Sequence, residues 1–443
     1  MDTHDTSYHS TEENLTETMK TIFPIHILRL IQQISELAGK EGFSVYLVGG
    51  IVRDLILGLT NVDIDLVVDG DGLSFGALLA ETIPGRIKFH ERFATFSLYL
   101  ADGTKIDIAS ARKETYDFPG ALPTVEKGTL KQDLFRRDFT VNAMAISLNG
   151  KSFGRLIDYF GGRQDLNLRI IKVLHEERFM DDPTRIFRSV RFEKRYGFTI
   201  EAETFSFARK AVEQNVFENV SFSRLKEELL LVLKEKNMVP ILKRLQQIGL
   251  WERVFPELIL TGEILFYLKS ILKYKESNCQ FFGSVDYDLI ILLILCHQAN
   301  KNQVEDFMEK YPWPKNYRRA FRKFLSLKKD LPFLLKSKNI PLSCYDKILG
   351  KLPNEVIIYL YLISNRAKQN MIAKYFIKRQ ECVMAISGND LKLLGITPGP
   401  AFKMILNQVR AAKLDGRIQT RDDEIAYVKE LMRKEEIKCH LEV

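Results

Sequence analysis

The sequence is poor in residues that staple or anchor a chain. Its 443 residues include five cysteines, Cys279, Cys296, Cys344, Cys382 and Cys439. They are scattered, odd in number and nowhere spaced Cys-x-x-Cys, which argues against a disulfide framework or a structural zinc site. A reducing cytoplasm is the expected setting. Long hydrophobic runs are missing too: the longest, Leu289 to Cys296, is far too short to cross a bilayer and reads as a buried helix segment, so no membrane partner is expected. There is no internal repeat, no low-complexity tract and no His-Asp signature of a phosphohydrolase, so no second, hydrolytic activity is expected. Residues 1–22 have no apolar stretch and mix acidic with polar side chains. They read as a disordered tail, not a signal or transit peptide.

What is present fits a folded, multidomain protein. Apolar residues make up 46% and charged residues 28%, enough to build cores, and the length calls for two to four domains. Lys and Arg total 65 against 57 Asp and Glu, a net charge of +8. That excess favours a polyanionic partner, because Lys and Arg can displace counterions from a phosphate backbone.

The first ordered stretch alternates helix and strand patterns. Apolar spacing predicts a helix from Ile25 to Ala38, a strand from Ser44 to Val48 ending in Gly49-Gly50, and a short helix from Ile51 to Leu57 closed by Gly58. A second strand is expected from Val62 to Val68, before the turn Asp69-Gly70-Asp71-Gly72, and a hairpin from Phe93 to Leu100 and Lys105 to Ala109 about Asp102-Gly103. From about Arg169 strand signals fade, and the rest reads as helices separated by Gly and Pro. The fold class expected is an α+β head followed by all-α domains.

The most informative local pattern is Asp63-Ile64-Asp65. Side chains at i and i+2 of a strand share a face, so both carboxylates can point into one cleft. Carboxylate oxygens suit a hard cation such as Mg²⁺, which accepts its remaining ligands from water and phosphate, and two such ions can assist an in-line phosphoryl transfer. Alone, Asp-x-Asp also fits an exposed strand edge. The preceding Gly49-Gly50 shifts the balance, because two residues without Cβ at a strand-to-helix junction let backbone N–H groups approach a triphosphate. Asp107 on the returning strand is a candidate third catalytic carboxylate, and a solvated strand residue describes it nearly as well.

Together these segments resemble the class II tRNA nucleotidyltransferase and bacterial poly(A) polymerase family, in the polymerase β superfamily. Val48-Gly49-Gly50-Ile51-Val52-Arg53-Asp54 followed by Asp63-Ile64-Asp65 resembles its first motif. Arg136-Arg137-Asp138-Phe139-Thr140-Val141-Asn142-Ala143 resembles the second, and Asp158-Tyr159-Phe160-Gly161-Gly162-Arg163-Gln164-Asp165-Leu166 the third. Asp181-Asp182-Pro183-Thr184-Arg185 continuing to Phe192 resembles the fourth, with order and spacing in agreement. The resemblance implies a polymerase β-like sheet in the head, Asp63 and Asp65 as metal ligands, and nucleotide contacts from Gly49, Gly50, Arg53, Arg136, Asp138 and Asn142. Arg188 and Arg191 are carried over as triphosphate or helix-positioning contacts. The family usually has Glu where this chain has Asp181.

The fourth motif also has a reading of its own. On a helix from Asp182 to Phe192, Asp182 and Arg185 would share a face at i and i+3. A carboxylate accepting from an exocyclic amine beside a guanidinium donating to the adjacent ring nitrogen matches both C and A. U and G present a carbonyl where the carboxylate needs a donor. A solvent-facing amphipathic helix is the plainer alternative. Ser221-Phe222-Ser223-Arg224 with Glu227 resembles the fifth motif and reads as a brace for the base-reading helix. The stretch from Ala385 to Lys434 resembles the region that holds the tRNA elbow in many members.

The expected partition is a tail at 1–22, a catalytic head at 23–168, a helical neck at 169–258, a body at 259–380 and a tRNA-binding tail at 381–443. The expected activity is template-independent addition of C and A, from CTP and ATP, to the 3′ end of tRNA with Mg²⁺, and no obligate protein partner is evident. Arg112 to Pro123 resembles the flexible loop that CC-adding members tend to lack, which favours an enzyme able to incorporate A. A-adding and CC-adding specialists, a poly(A) polymerase and an RNA-binding protein with an inactive head remain alternatives.

Overall fold

The computed structural model describes residues 13–60, 62–90, 95–276, 283–337 and 340–433. The chain divides into two compact units, Met1–Val254 and Phe255–Val443. Head and neck segments therefore share the first unit, and the division falls inside the stretch expected as neck.

The first unit is built on a mixed sheet. Its strands are β1 (Ser44–Val48), β2 (Ile64–Asp69), β3 (Arg86–His90), β4 (Thr95–Tyr99), β5 (Lys105–Ser110), β8 (Met144–Ser147) and β9 (Leu156–Asp158); β6 (Arg112–Thr115) and β7 (Thr124–Lys127) form a separate hairpin. The order is β3-β4-β5-β2-β1-β8-β9. β2 runs parallel to β5, with Asp65 opposite Asp107, and antiparallel to β1. The helix Ile25–Glu41 buries Ile27, Leu30, Ile31, Ile34 and Ala38, the apolar stripe expected of a helix lying on a core. Asp71, in the acidic turn after β2, caps the helix Gly72–Thr82 by accepting from the amides of Leu73 and Ser74.

The structure departs from the sequence reading in several places. Residues 1–22 were expected to be disordered, but Thr16–Ile22 is a helix, and residues 1–12 lie outside the described residues. Leu15 (4% exposed), Met19 (1%) and Phe23 (4%) recur at four-residue spacing and give this otherwise polar segment one buried edge. Its backbone also joins the head, through Leu15 N–H to Gly154 O and Leu156 N–H to Glu13 O. The second strand begins at Ile64, not Val62, so Asp63 stands just before it. The hairpin forms about Asp102-Gly103, with Gly103 at φ 90, but Phe93 and Ala94 lie outside the described residues. Beyond Arg169 a small parallel pair remains, Ile170–Ile171 with Thr199–Ile200.

The second unit is helical throughout its described residues. Leu289 to Leu295 is wholly buried in the helix Tyr287–Leu295, and no described helix is long and apolar enough to cross a membrane. Near the C-terminus, Ile386, Leu391, Ile405, Val409 and Val428 form a small core. The buried carboxylate of Glu424 accepts from the amides of Ala385 and Ile386 and pairs with Lys413.

Candidate active site

The turn from β1 into the helix Gly50–Ile56 hinges on Gly49, at φ 77 and ψ −132. This region of backbone space is closed to side chains. A Cβ here would stand 2.8 Å from Arg137 Nη1 and 3.9 Å from Asp65 Oδ2. The glycine thus keeps the floor of the site open where a guanidinium and a carboxylate converge.

Asp65 is half-buried and makes no side-chain hydrogen bond among the described residues. Burial pushes its carboxyl up to about 6, against the pull of Arg137 and with help from the negative charges of Asp107 and Asp63. Asp63 is exposed. Asp107, across the ladder, accepts from Ser97 Oγ at 2.5 Å and Lys105 Nζ at 2.5 Å. Among the described residues no group of three or more His, Cys, Asp or Glu converges as metal ligands, so the described acidic ligand set at Asp65 is narrow.

Beside Asp65 opens a cleft of about 530 Å³, lined by every nucleotide-site residue expected from the sequence, together with Asp65, Arg137, Phe192 and Arg195. Asp63 and Asp107 are outside its lining. Seven arginines face three aspartates across it, a balance suited to a polyphosphate.

Several of the arginines are already held. Arg53 is 5% exposed. It donates through Nε to Asp54 (2.8 Å), Nη1 to Asn142 (2.6 Å) and Nη2 to Tyr196 (2.6 Å), and lies over the Tyr196 ring at 4.6 Å. It therefore ties the Gly-Gly turn to the second motif and to the end of the helix Arg185–Tyr196, with each of its three nitrogens engaged at the cleft wall. Asp133, fully buried, accepts from Arg136 Nε (2.9 Å) and Nη2 (2.7 Å) on one oxygen and from Arg137 Nη2 (3.0 Å) on the other. Arg136 Nη1 also reaches Glu114 on β6 at 3.1 Å. Sequence reasoning missed Asp133, although its spacing to Arg136 and Arg137 at i+3 and i+4 was a usable signal.

Asp138 accepts four donors: Phe139 N–H (2.9 Å) and Asn142 Nδ2 (2.8 Å) on Oδ1, and Arg188 Nε (2.8 Å) and Nη2 (2.7 Å) on Oδ2. Burial opposes its charge, but Arg188 and the Asn142 amide hold the carboxyl down at about 2. Arg191 is committed to Glu228 (3.3 Å) and Glu235 (3.1 Å), which positions its helix. In the third motif Asp158 caps the helix Gly162–Leu168 through the amides of Gly162 and Arg163. Asp165 accepts from Thr140 Oγ1 at 2.5 Å, locking the third motif onto the second.

The fourth motif differs from the single helix expected. Asp182 is extended (φ −138, ψ 94) between the helices Arg178–Asp181 and Arg185–Tyr196, because a residue preceding proline is driven out of the helical region. A turn still brings it to Arg185, whose N–H donates to Asp182 O at 3.1 Å. Asp182 Oδ1 takes Thr184 N–H (3.1 Å), Thr184 Oγ1 (2.7 Å) and Arg224 Nη2 (2.6 Å). Oδ2 lies 4.0 Å from Arg185 Nε, beyond hydrogen-bonding distance. Arg185 Nη2 donates to Arg136 O at 3.1 Å, while its buried Nη1 has no partner. The Asp182 carboxylate and the Arg185 guanidinium thus border the same cleft without bonding to each other. Asp181 points elsewhere, toward Arg178 and His175, both at 3.5 Å.

Residues 45–172 match the poly A polymerase head domain, and residues 197–260 match the family described as the probable RNA and SrmB-binding site of polymerase A. An A-adding tRNA nucleotidyltransferase of Geobacter sulfurreducens is 34% identical over 92% of this chain, which spans 47% of that relative's length. One of Halalkalibacterium halodurans is 32% identical over 96% of this chain and 97% of its own length. Among solved structures, a CCA-adding enzyme in apo form superposes with a TM-score of 0.85 at 33% identity, covering 95% of this chain and 99% of that one. The Thermotoga maritima CCA-adding enzyme complexed with tRNA gives 0.79 at 32%, covering 95% and 99%.

Proposed function

Because the chain belongs to the tRNA nucleotidyltransferase and poly(A) polymerase family, we propose that it adds C and A nucleotides to the 3′ end of tRNA, taking them from CTP and ATP with release of pyrophosphate. The observation that carries the base choice is that Asp182 and Arg185 both line the cleft, with Asp182 Oδ2 standing 4.0 Å from Arg185 Nε and not bonded to it, a carboxylate acceptor next to a guanidinium donor. C and A each offer an exocyclic amine next to a ring nitrogen acceptor and suit both groups. U and G would set a carbonyl against the carboxylate. Arg224, bonded to Asp182, and the Arg136 carbonyl, bonded to Arg185, fix the orientation of the reading pair.

The other residues hold the triphosphate. Gly49 and Gly50 allow close backbone approach at a helix start, and Arg137 and Arg188 supply positive charge at the cleft wall. Asp65, a half-buried carboxylate without a donor of its own and with a raised pKa, fits a hard cation, and Asp63 next to it is the second oxygen donor of the proposed site. Magnesium bound there would neutralise phosphate charge and activate the attacking hydroxyl. Asp107, occupied by Ser97 and Lys105, sets the field around Asp65. The partition into head (23–168), neck (169–258), body (259–380) and tail (381–443) is part of this proposal.

The Geobacter and Halalkalibacterium relatives are named as A-adding, which favours a second reading in which only the terminal A is added. Incubating the protein with Mg²⁺, labelled CTP or ATP, and tRNAs ending before the CCA end, within it or just short of its final A separates the two. Addition of both nucleotides supports the first reading, and labelling by ATP alone on tRNA ending in CC supports the second. Long A tails would make the chain a poly(A) polymerase, and no incorporation with any combination would refute the enzymatic account.

A further inference from the structure

Arg136 lines a second cavity besides the nucleotide cleft. This one, about 440 Å³, has Phe135, His175 and Arg178 in its wall. Around it the fold leaves a group of aromatic rings in reach of solvent. Phe135 stacks on His175 with centroids 5.2 Å apart at 27° and lies 5.7 Å from Phe160, which in turn touches Tyr159 at 6.1 Å. Phe135 is 44% exposed and Tyr159 39%. Single exposed apolar residues are ordinary, but a contiguous aromatic group beside a catalytic cleft marks a binding surface.

Cations accompany the rings. Arg178 lies 5.7 Å over Phe135 and Lys131 5.7 Å over Tyr159. Arg178 is itself buried, and its Nε has no partner. Although Asp181 stands 3.5 Å from His175, burial and the charges of Arg178 and Arg185 push that imidazole down to about 4. At neutral pH it is an uncharged flat ring. Aromatic faces interleaved with cations are the chemistry of unpaired nucleotides, whose bases stack while their phosphates meet positive charge.

We propose that Phe135, with His175 behind it, is the stacking platform for the last unpaired base at the 3′ end of the RNA being extended. The incoming nucleotide's base is met by Asp182 and Arg185 in the first cavity, and the RNA terminus must lie next to it. The second cavity meets that need, since Arg136 is a wall of both. This assignment rests on the proposed function and names where its RNA substrate docks.

The test places 2-aminopurine at the 3′ terminus of a tRNA lacking its final nucleotide and compares the wild type with Phe135→Leu, which keeps apolar bulk and loses the ring, and Phe135→Trp, which restores it. Stacking on the wild type should quench the probe, and Phe135→Leu should lose the quench and raise the KM for RNA about ten-fold, with the KM for ATP changed less than about two-fold. Phe135→Trp should recover both properties. Nucleotide addition by the wild type, with quench and RNA KM unaltered in Phe135→Leu, would overturn the platform and leave the enzyme standing. A wild type that quenches the probe through Phe135 but adds nothing would overturn the enzymatic reading and keep the platform.

Discussion

Asp65→Asn should abolish nucleotide addition and, in a metal-free solution, make the protein more stable. Burial holds the Asp65 carboxyl at about 6 in place of an ordinary 3.8, so the folded state prefers it protonated. At neutral pH the charge is forced on a fold that resists it, at a cost of about 3 kcal/mol at the usual 1.4 per pH unit, discounted to about 1–2 because the side chain keeps some contact with water. Asparagine has the same shape and no charge, and Asp65 has no hydrogen-bond donor to lose. Arg137 keeps Asp133 at 3.0 Å. The sign follows from the raised value: the Asp65 contribution to stability is greatest below about pH 4, falls as pH rises from there through about 6, and stays level above that. Calorimetry with a chelator present should therefore find the transition of the first unit raised by about 2–8 °C in Asp65→Asn near neutral pH, and unchanged near pH 4. A variant no more stable than wild type at neutral pH, or one whose advantage persists at pH 4, would refute the reasoning.

Two further substitutions probe the same cleft. Gly49→Ala should cost about 1–3 kcal/mol of backbone strain and lower nucleotide addition by about ten-fold or more, because its methyl would displace Arg137 from beside Asp65; steady-state kinetics matching the wild type would contradict this. Asp138→Asn should destabilise the protein by about 2–4 kcal/mol in urea titrations, since an amide cannot accept from four donors and Arg188 would lose its counter-charge, partly offset by the water that reaches Arg188. Because the wild-type carboxyl sits near 2, its contribution is full above about pH 4 and fades as pH falls toward 2, so the gap between wild type and variant should close over that range.

The elements legible in the sequence were those set by local chemistry. Ser44–Val48 has the bounds its alternation predicted, and the glycine at position 49 adopts the conformation only glycine tolerates. Tertiary context decided the rest. Thr16–Ile22 looked too polar to order because its few apolar residues matter only once the edge of the head covers them. Asp182 was placed on a helix because the i, i+3 spacing was weighed above Pro183, which breaks that helix. The resemblance implied a nucleotide contact at Arg53, and nothing local announces that Asn142 and Tyr196, distant in the chain, would also engage its guanidinium. The bond from Arg224 to Asp182 spans 42 residues and turns a motif read as a brace into one that grips the carboxylate proposed to read the base.

Asp133 joins two cavities that otherwise share only a wall. Its two oxygens tether Arg136, which borders the second cavity as well as the first, and Arg137, which acts on Asp65, and Asp133 itself has no exposed surface. A pull on either guanidinium is therefore felt by the other. With an RNA end and a triphosphate seated as proposed, one sealed anion would make the two dockings mechanically interdependent, and neither arginine could be retuned without disturbing its twin.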